Sequence, residues 1–166
     1  MGSCCSSQKQ NLDFFKIISP PVISSTISNK KVEEILRKTY PSISKLILNS
    51  TEYSVYSSSE LDRFIQNEYV QDYLYRSEAN DCDNYAKMLV GLHSLWTYTL
   101  PTDVAFGFIS GDLRDHTQTS KPNYHAKNLV ITTDDNGLTF EVKSIEPQND
   151  NITNPINNAV VWNIIM

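Results

Sequence analysis

The sequence predicts an α+β fold, with helices in the first half and an antiparallel sheet in the second. Three observations carry this. Apolar residues recur at three- and four-residue steps between Asn29 and Thr97. Short β-branched and aromatic runs fill the stretch from Val104 to Ile165. Thr133-Asp-Asp-Asn-Gly137 is a strong hairpin signal between two of those runs.

The elements follow in order. Met1 to Ser28 is Ser-rich, carries Pro20-Pro21 and has no clean period, so residues 1–28 are expected to form a flexible tail before a body at 29–166. From Asn29 a helix places Val32, Ile35, Leu36 and Tyr40 on one face and stops at Pro41. Ile43–Leu48 reads as a helical turn or buried loop, and Tyr53–Tyr56 as a short strand. Ser57-Ser-Ser-Glu60 is a capping box, and the helix behind it carries Leu61, Phe64, Ile65 and Tyr69 into the core. Asp81 is an N-cap for a third helix over Cys82–Thr97, with Tyr85, Ala86, Leu89, Val90, His93 and Trp96 at helical spacing and Leu100-Pro101 as its stop. Strands are expected over Val104–Ile109, His125–Thr133, Leu138–Glu146 and Ala159–Ile165, with a polar loop from Gly111 to Asn123.

The chain has 166 residues, one domain's worth plus a tail. Its net charge is −5 and it has no Lys/Arg run, which argues against nucleic acid as a partner. Of its three cysteines, Cys4 and Cys5 are adjacent and Cys82 stands alone, which is neither a disulfide framework nor a metal-site spacing. The body therefore reads as a reducing-compartment protein with one free thiol. The opening Met-Gly-Ser-Cys-Cys-Ser matches the myristoylation pattern at Gly2, with Cys4 and Cys5 as palmitoylation sites. Two or three acyl chains anchor stably, so the expected location is the cytoplasmic side of a membrane in a eukaryote, and otherwise the cytoplasm.

The chemistry centres on Cys82. A thiol in the first turn of a helix meets unpaired N–H groups and the positive end of the dipole, which favour the thiolate. His125 opens a strand after a long loop, a suitable place for a base. Glu146 ends the next strand. If Asp135-Asn136 makes the turn, paired residue numbers sum to 271; if Asn136-Gly137 makes it, they sum to 273. Both registers put Glu146 on the same face as His125, where it could accept Nδ1–H and fix the tautomer. Asn80, Asn128, Gln148 and the Cys82 N–H are candidate oxyanion donors. This is a papain-like arrangement. It predicts a cysteine protease or amidase that acts on a peptide or protein substrate through an acyl-enzyme. A transglutaminase-like acyltransferase, a cell-wall amidase and a catalytically silent binding or scaffold module on the same fold are the alternatives.

Three boxes, Asn80-Asp-Cys-Asp-Asn-Tyr-Ala86, His125-Ala-Lys-Asn-Leu-Val-Ile131 and Ile145-Glu-Pro-Gln148, resemble the C-terminal papain-like domain of the Marasmius-type fungal agglutinin family. The resemblance covers about residues 60–166. It implies N-terminal helices packed on a C-terminal sheet, a Cys82-His125-Glu146 triad and dependence on calcium. Asp83 would be the first metal ligand. Asn84 and Lys127 depart from the family pattern, and no β-trefoil lectin module precedes the domain.

Overall fold

The computed structural model describes residues 19–72, 81–113, 124–134, 136–156 and 159–166. Among them are eight strands and three α-helices. These are β1 (Ile23–Ser28), α1 (Asn29–Thr39), β2 (Lys45–Ile47), β3 (Glu52–Tyr56), α2 (Ser58–Ile65), α3 (Cys82–Thr97), β4 (Phe106–Asp112), β5 (His125–Thr133), β6 (Phe140–Glu146), β7 (Asn151–Thr153) and β8 (Val160–Ile165). A single 3-10 turn, Val70–Asp72, follows α2.

The expected layout of helices first, packed on an antiparallel C-terminal sheet in the papain-like manner, needs correcting. The first described element is a strand, and β1 pairs antiparallel with β3 in a sheet of its own. The large sheet has six strands in the order β2-β8-β4-β5-β6-β7. It is mixed, because β2 runs parallel to β8. The physical reason is that Ile23–Ser28 and Lys45–Ile47 are too short to show a period of their own. They become strands only by pairing with distant edges. Residues 23–28, expected in the tail, thus belong to the folded body, and Ser28 caps α1 by accepting from the Lys31 N–H.

Alternation along the strands gives the large sheet two apolar faces. Leu129, Ile131, Val142, Ile109 and Ile164 share one core with Val32 and Leu36 of α1. Val130, Ile145 and Phe106 share the other with Leu61 and Phe64 of α2 and Tyr85, Leu89 and Trp96 of α3. The hairpin register is Asn128 opposite Ile145 and Thr133 opposite Phe140, pairs that sum to 273. A bulge between Ser110 and Gly111 shifts β4 against β8. A Cβ on Gly111 would lie 2.2 Å from the Val160 carbonyl oxygen, so only glycine allows this approach.

Candidate functional site

Helix α3 begins where the sequence places it. Asp81 is its N-cap and accepts from the Asn84 N–H. Its buried residues Tyr85, Ala86, Leu89, Leu92, His93 and Trp96 follow the helical step. Asn128 is fully buried on β5 and ties the helix to the sheet. Its Nδ2 donates to the carbonyls of Ala86 at 2.9 Å and Gly107 at 3.3 Å. Nδ2, the group a candidate oxyanion donor would use, is thus engaged by two backbone carbonyls, while Oδ1 is buried with no donor. The Ala126 amide bonds the Cys82 thiol, which sets the first turn of α3 beside the mouth of β5.

His125 and Glu146 meet as the register requires. His125 Nε2 lies 2.6 Å from Glu146 Oε2, so the carboxylate engages the nitrogen opposite to the one expected. Lys127 Nζ reaches the same oxygen at 3.4 Å, while Glu146 Oε1 is buried with no donor. Burial pushes the Glu146 carboxyl up, but the hydrogen bond and charge of His125 and the charge of Lys127 outweigh it, and its pKa is lowered. Cys82 is half-buried, and among the described residues no hydrogen bond joins it to His125.

The expected thiolate-favouring environment is not found. Burial raises the Cys82 pKa, the Ala126 amide opposes this, and the charges of Asp81 and Asp83 raise it further. The carboxylates that suit a helix N-terminus also repel a neighbouring thiolate. Asp83 is ion-paired with Lys87, and among the described residues no group of three or more His, Cys, Asp and Glu side chains is arranged to hold a metal ion. Gln148 is half-buried in the turn after Glu146. Asn80, Gly2, Cys4 and Cys5 lie outside the described residues, as does the loop from 114 to 123. Among the described residues no helix is long and apolar enough to cross a membrane.

Two features of this region were not anticipated. Tyr124 and Trp162 are exposed, 46% and 41% respectively, with ring centroids 5.7 Å apart and planes at 30°. Tyr124 is hydrogen-bonded to Ser110 and lies within the field of Asp83, Cys82 and Lys87, which places the pair at the rim of the same site. The only sequence signal was two aromatics on polar-facing positions. The second is a cavity of about 540 Å³ between α3, β4 and β8, lined by residues such as Val90, Tyr98, Phe106, Phe108 and Ile165. Cys82, His125 and Glu146 are not on its wall.

The architecture defines a class, a six-stranded mixed sheet clasped by helices on both faces, that known structures share. One is PSL1a in its complex with E64, with a TM-score of 0.68. Another, at 0.67, is the Polyporus squamosus lectin bound to the human-type influenza-binding epitope Neu5Acα2-6Galβ1-4GlcNAc. Each is 18% identical over 85% of this chain, and the chain spans 51% and 49% of their lengths. At that identity the likeness shows the fold alone. No protein-family model matches the chain, and no curated protein matches it significantly.

These likenesses correct the expectation of a papain-like cysteine hydrolase of the Marasmius-type family. One of these neighbours is titled a lectin and holds a glycan, and the other is titled a complex with E64.

Proposed function

We propose that this chain is a carbohydrate-binding module with the Tyr124–Trp162 pair as its sugar platform. The observation that carries this reading is the exposed, tilted ring pair itself. Aromatic faces are electron-rich, and the C–H bonds on one side of a pyranose ring pack against them. Hydrogen-bonding groups stand beside the rings. Asn163 Nδ2 donates to Ser110 Oγ at 3.3 Å, and Asp83 and Lys87 lie close to Tyr124. Such groups would fix a sugar's hydroxyls, and the fold shared with a glycan-bound lectin supports the reading.

The test is titration calorimetry of the full chain with Neu5Acα2-6Galβ1-4GlcNAc and its unsialylated disaccharide. The chain should bind at least one, and Trp162→Ala or Tyr124→Ala should weaken binding by about tenfold, as one lost ring contact implies. If the wild type binds neither sugar, or both variants bind as it does, the platform is not there. Because the chain spans about half of that lectin, this experiment also decides whether the shared half is the one that holds glycan.

A second reading rests on a separate observation: the Cys82 thiol meets the Ala126 amide, next in the chain to His125, which pairs with Glu146, and PSL1a was solved with E64. We propose that Cys82 captures carbon electrophiles. The sulfur would open the epoxide of E64 to a thioether, and the ring oxygen would leave as a hydroxyl after taking a proton. Intact mass after incubation with E64 should show one adduct in wild type and none in Cys82→Ala. Equal labelling of both would remove the assignment. The location at a membrane surface is likewise our proposal, supported by the Gly2, Cys4 and Cys5 pattern and tested by release of the chain from membranes in Gly2→Ala.

A further inference from the structure

The cavity between α3, β4 and β8 shares no residue with the Tyr124–Trp162 pair, yet the strand register sets the two side by side. Asn128 of β5 bonds the Ala86 carbonyl of α3, so it points to the α3 face of the sheet. Alternation puts Tyr124, four residues earlier, on that same side. On β4, Phe108 stands opposite Asn128 and shares its face, as does Ser110 two residues on. Across to β8, Ser110 pairs with Asn163 and Phe108 with Ile165. Asn163 Nδ2 donates to Ser110 Oγ at 3.3 Å, whereas Phe108 and Ile165 line the cavity. Trp162, whose ring meets Tyr124, is next in the chain to Asn163. The polar Ser110–Asn163 rung therefore lies between the ring pair and the apolar Phe108–Ile165 rung. The two rungs are two residues apart along the strands, about 7 Å. Ring pair, polar rung and cavity form one track along the sheet beside α3.

The volume of the cavity, about 540 Å³, falls within the roughly 300–1,000 Å³ of small-ligand sites. Its polar groups are already engaged. Ser94 Oγ donates to the Val90 carbonyl and Thr97 Oγ1 to the His93 carbonyl, each at 2.9 Å. Thr102 Oγ1 is bonded to Ser54 Oγ, Asp103 accepts from Ser50 Oγ, and Lys87 is ion-paired with Asp83. Val90, Tyr98, Phe106, Phe108 and Ile165 supply the rest of the surface that a ligand would meet. A second sugar would have to break these bonds or bury hydroxyls without partners, whereas an apolar group replaces only water.

We propose that the cavity takes the apolar aglycone of a glycoside whose sugar rests on Tyr124 and Trp162. The ligand class is then an amphiphile, a sugar joined to an alkyl or aryl group, rather than a free glycan. This inference rests on the sugar-platform reading and names the second half of its ligand.

The experiment is calorimetry of the full chain with the methyl and hexyl β-glycosides of Galβ1-4GlcNAc and of its sialylated form Neu5Acα2-6Galβ1-4GlcNAc, with hexanol as the chain alone. Each methylene buried is worth about two- to fourfold in affinity, so the hexyl glycoside should bind at least about thirtyfold tighter than the methyl one. Ile165→Asp puts a charge on the cavity wall, and Ser94→Trp fills the space from α3. Either should abolish most of that gain while the methyl glycoside binds as before. Equal affinity for methyl and hexyl glycosides would leave the platform standing and overturn the aglycone site. Binding of neither by wild type would remove the platform, and the aglycone site with it. Hexanol bound as tightly as the hexyl glycoside would mean a cavity unconnected to the sugar, which overturns the proposal. A gain of full size in both variants would put the chain elsewhere and overturn it too. If Ile165→Asp does not fold, Ser94→Trp decides.

Discussion

The two faces of the large sheet are built on different terms. The α1 face is closed by aliphatic packing, Val32 and Leu36 against Leu129, Ile131 and Val142. The α3 face mixes apolar packing with buried polar groups. Asn128 bonds the backbone of α3, and His93 stacks on Phe106 at 4.0 Å and is hydrogen-bonded to the Tyr56 hydroxyl at 2.9 Å. Against the sheet, non-directional contacts hold α1, whose Asn29 bonds only the 50–51 backbone beyond it, whereas a directional bond from the sheet itself sets the position of α3. The side chains at the start of that helix need a fixed place, and a hydrogen bond to a backbone carbonyl supplies it where apolar contact would let the helix slide.

The largest effect expected from this contrast is with pH. Burial lowers the His93 pKa from 6.5 to about 3. The unfolded chain therefore binds a proton below about pH 6.5 that the folded chain refuses, and stability falls as pH drops toward 3. The loss should approach roughly 4–5 kcal/mol for one group over that span. Urea melts of wild type and His93→Gln between pH 7 and 4 measure it. Parallel curves would mean that His93 takes up its proton in place.

Leu36→Ala tests the α1 face. Leu36 is fully buried, so the change should cost about 3–4 kcal/mol and leave the alkylation rate of Cys82 in the folded protein unchanged. Asn128→Leu tests the other face. It leaves two buried carbonyls short of a donor and should cost about 2 kcal/mol. Here the Cys82 alkylation rate should change, because the helix loses its tie. If both variants leave the thiol equally unmoved, the contrast between the faces has no consequence for the site.

The smallest effect belongs to Glu146→Gln. The lowered pKa of Glu146 adds stability that is present above its unfolded value of 4.5 and is lost as pH falls through the folded value. The variant should therefore lose about 1 kcal/mol near neutrality, and its deficit against wild type should close under acid. A deficit that stays constant with pH would mean that shape, not charge, is what Glu146 contributes.

Much of the local layout was legible, and several tertiary features were not. The grouping of His125 with Glu146 followed from the period of two and an even turn. The nitrogen that faces Glu146 did not follow, since ring orientation depends on packing. The Cys82 environment was misread for a definable reason. Helix N-terminal logic attracts both carboxylates and thiolates, and with Asp81 and Asp83 already present the thiol is disfavoured.

By itself the sequence determined what depends on neighbours along the chain. Asp81, the apolar step and Pro101 set α3, and an even turn between alternating strands set which residues of β5 and β6 share a face, while the register itself was settled by the fold. Tertiary structure decided what depends on partners far along the chain. β2 becomes a strand only beside β8, and Asn163 is 118 residues from Lys45. Tyr124 meets Trp162 only because strands bring their ends together. Propensity and period act over a few residues. The free energy of long-range pairing and burial exists only once the chain has closed those loops, so no local pattern records it.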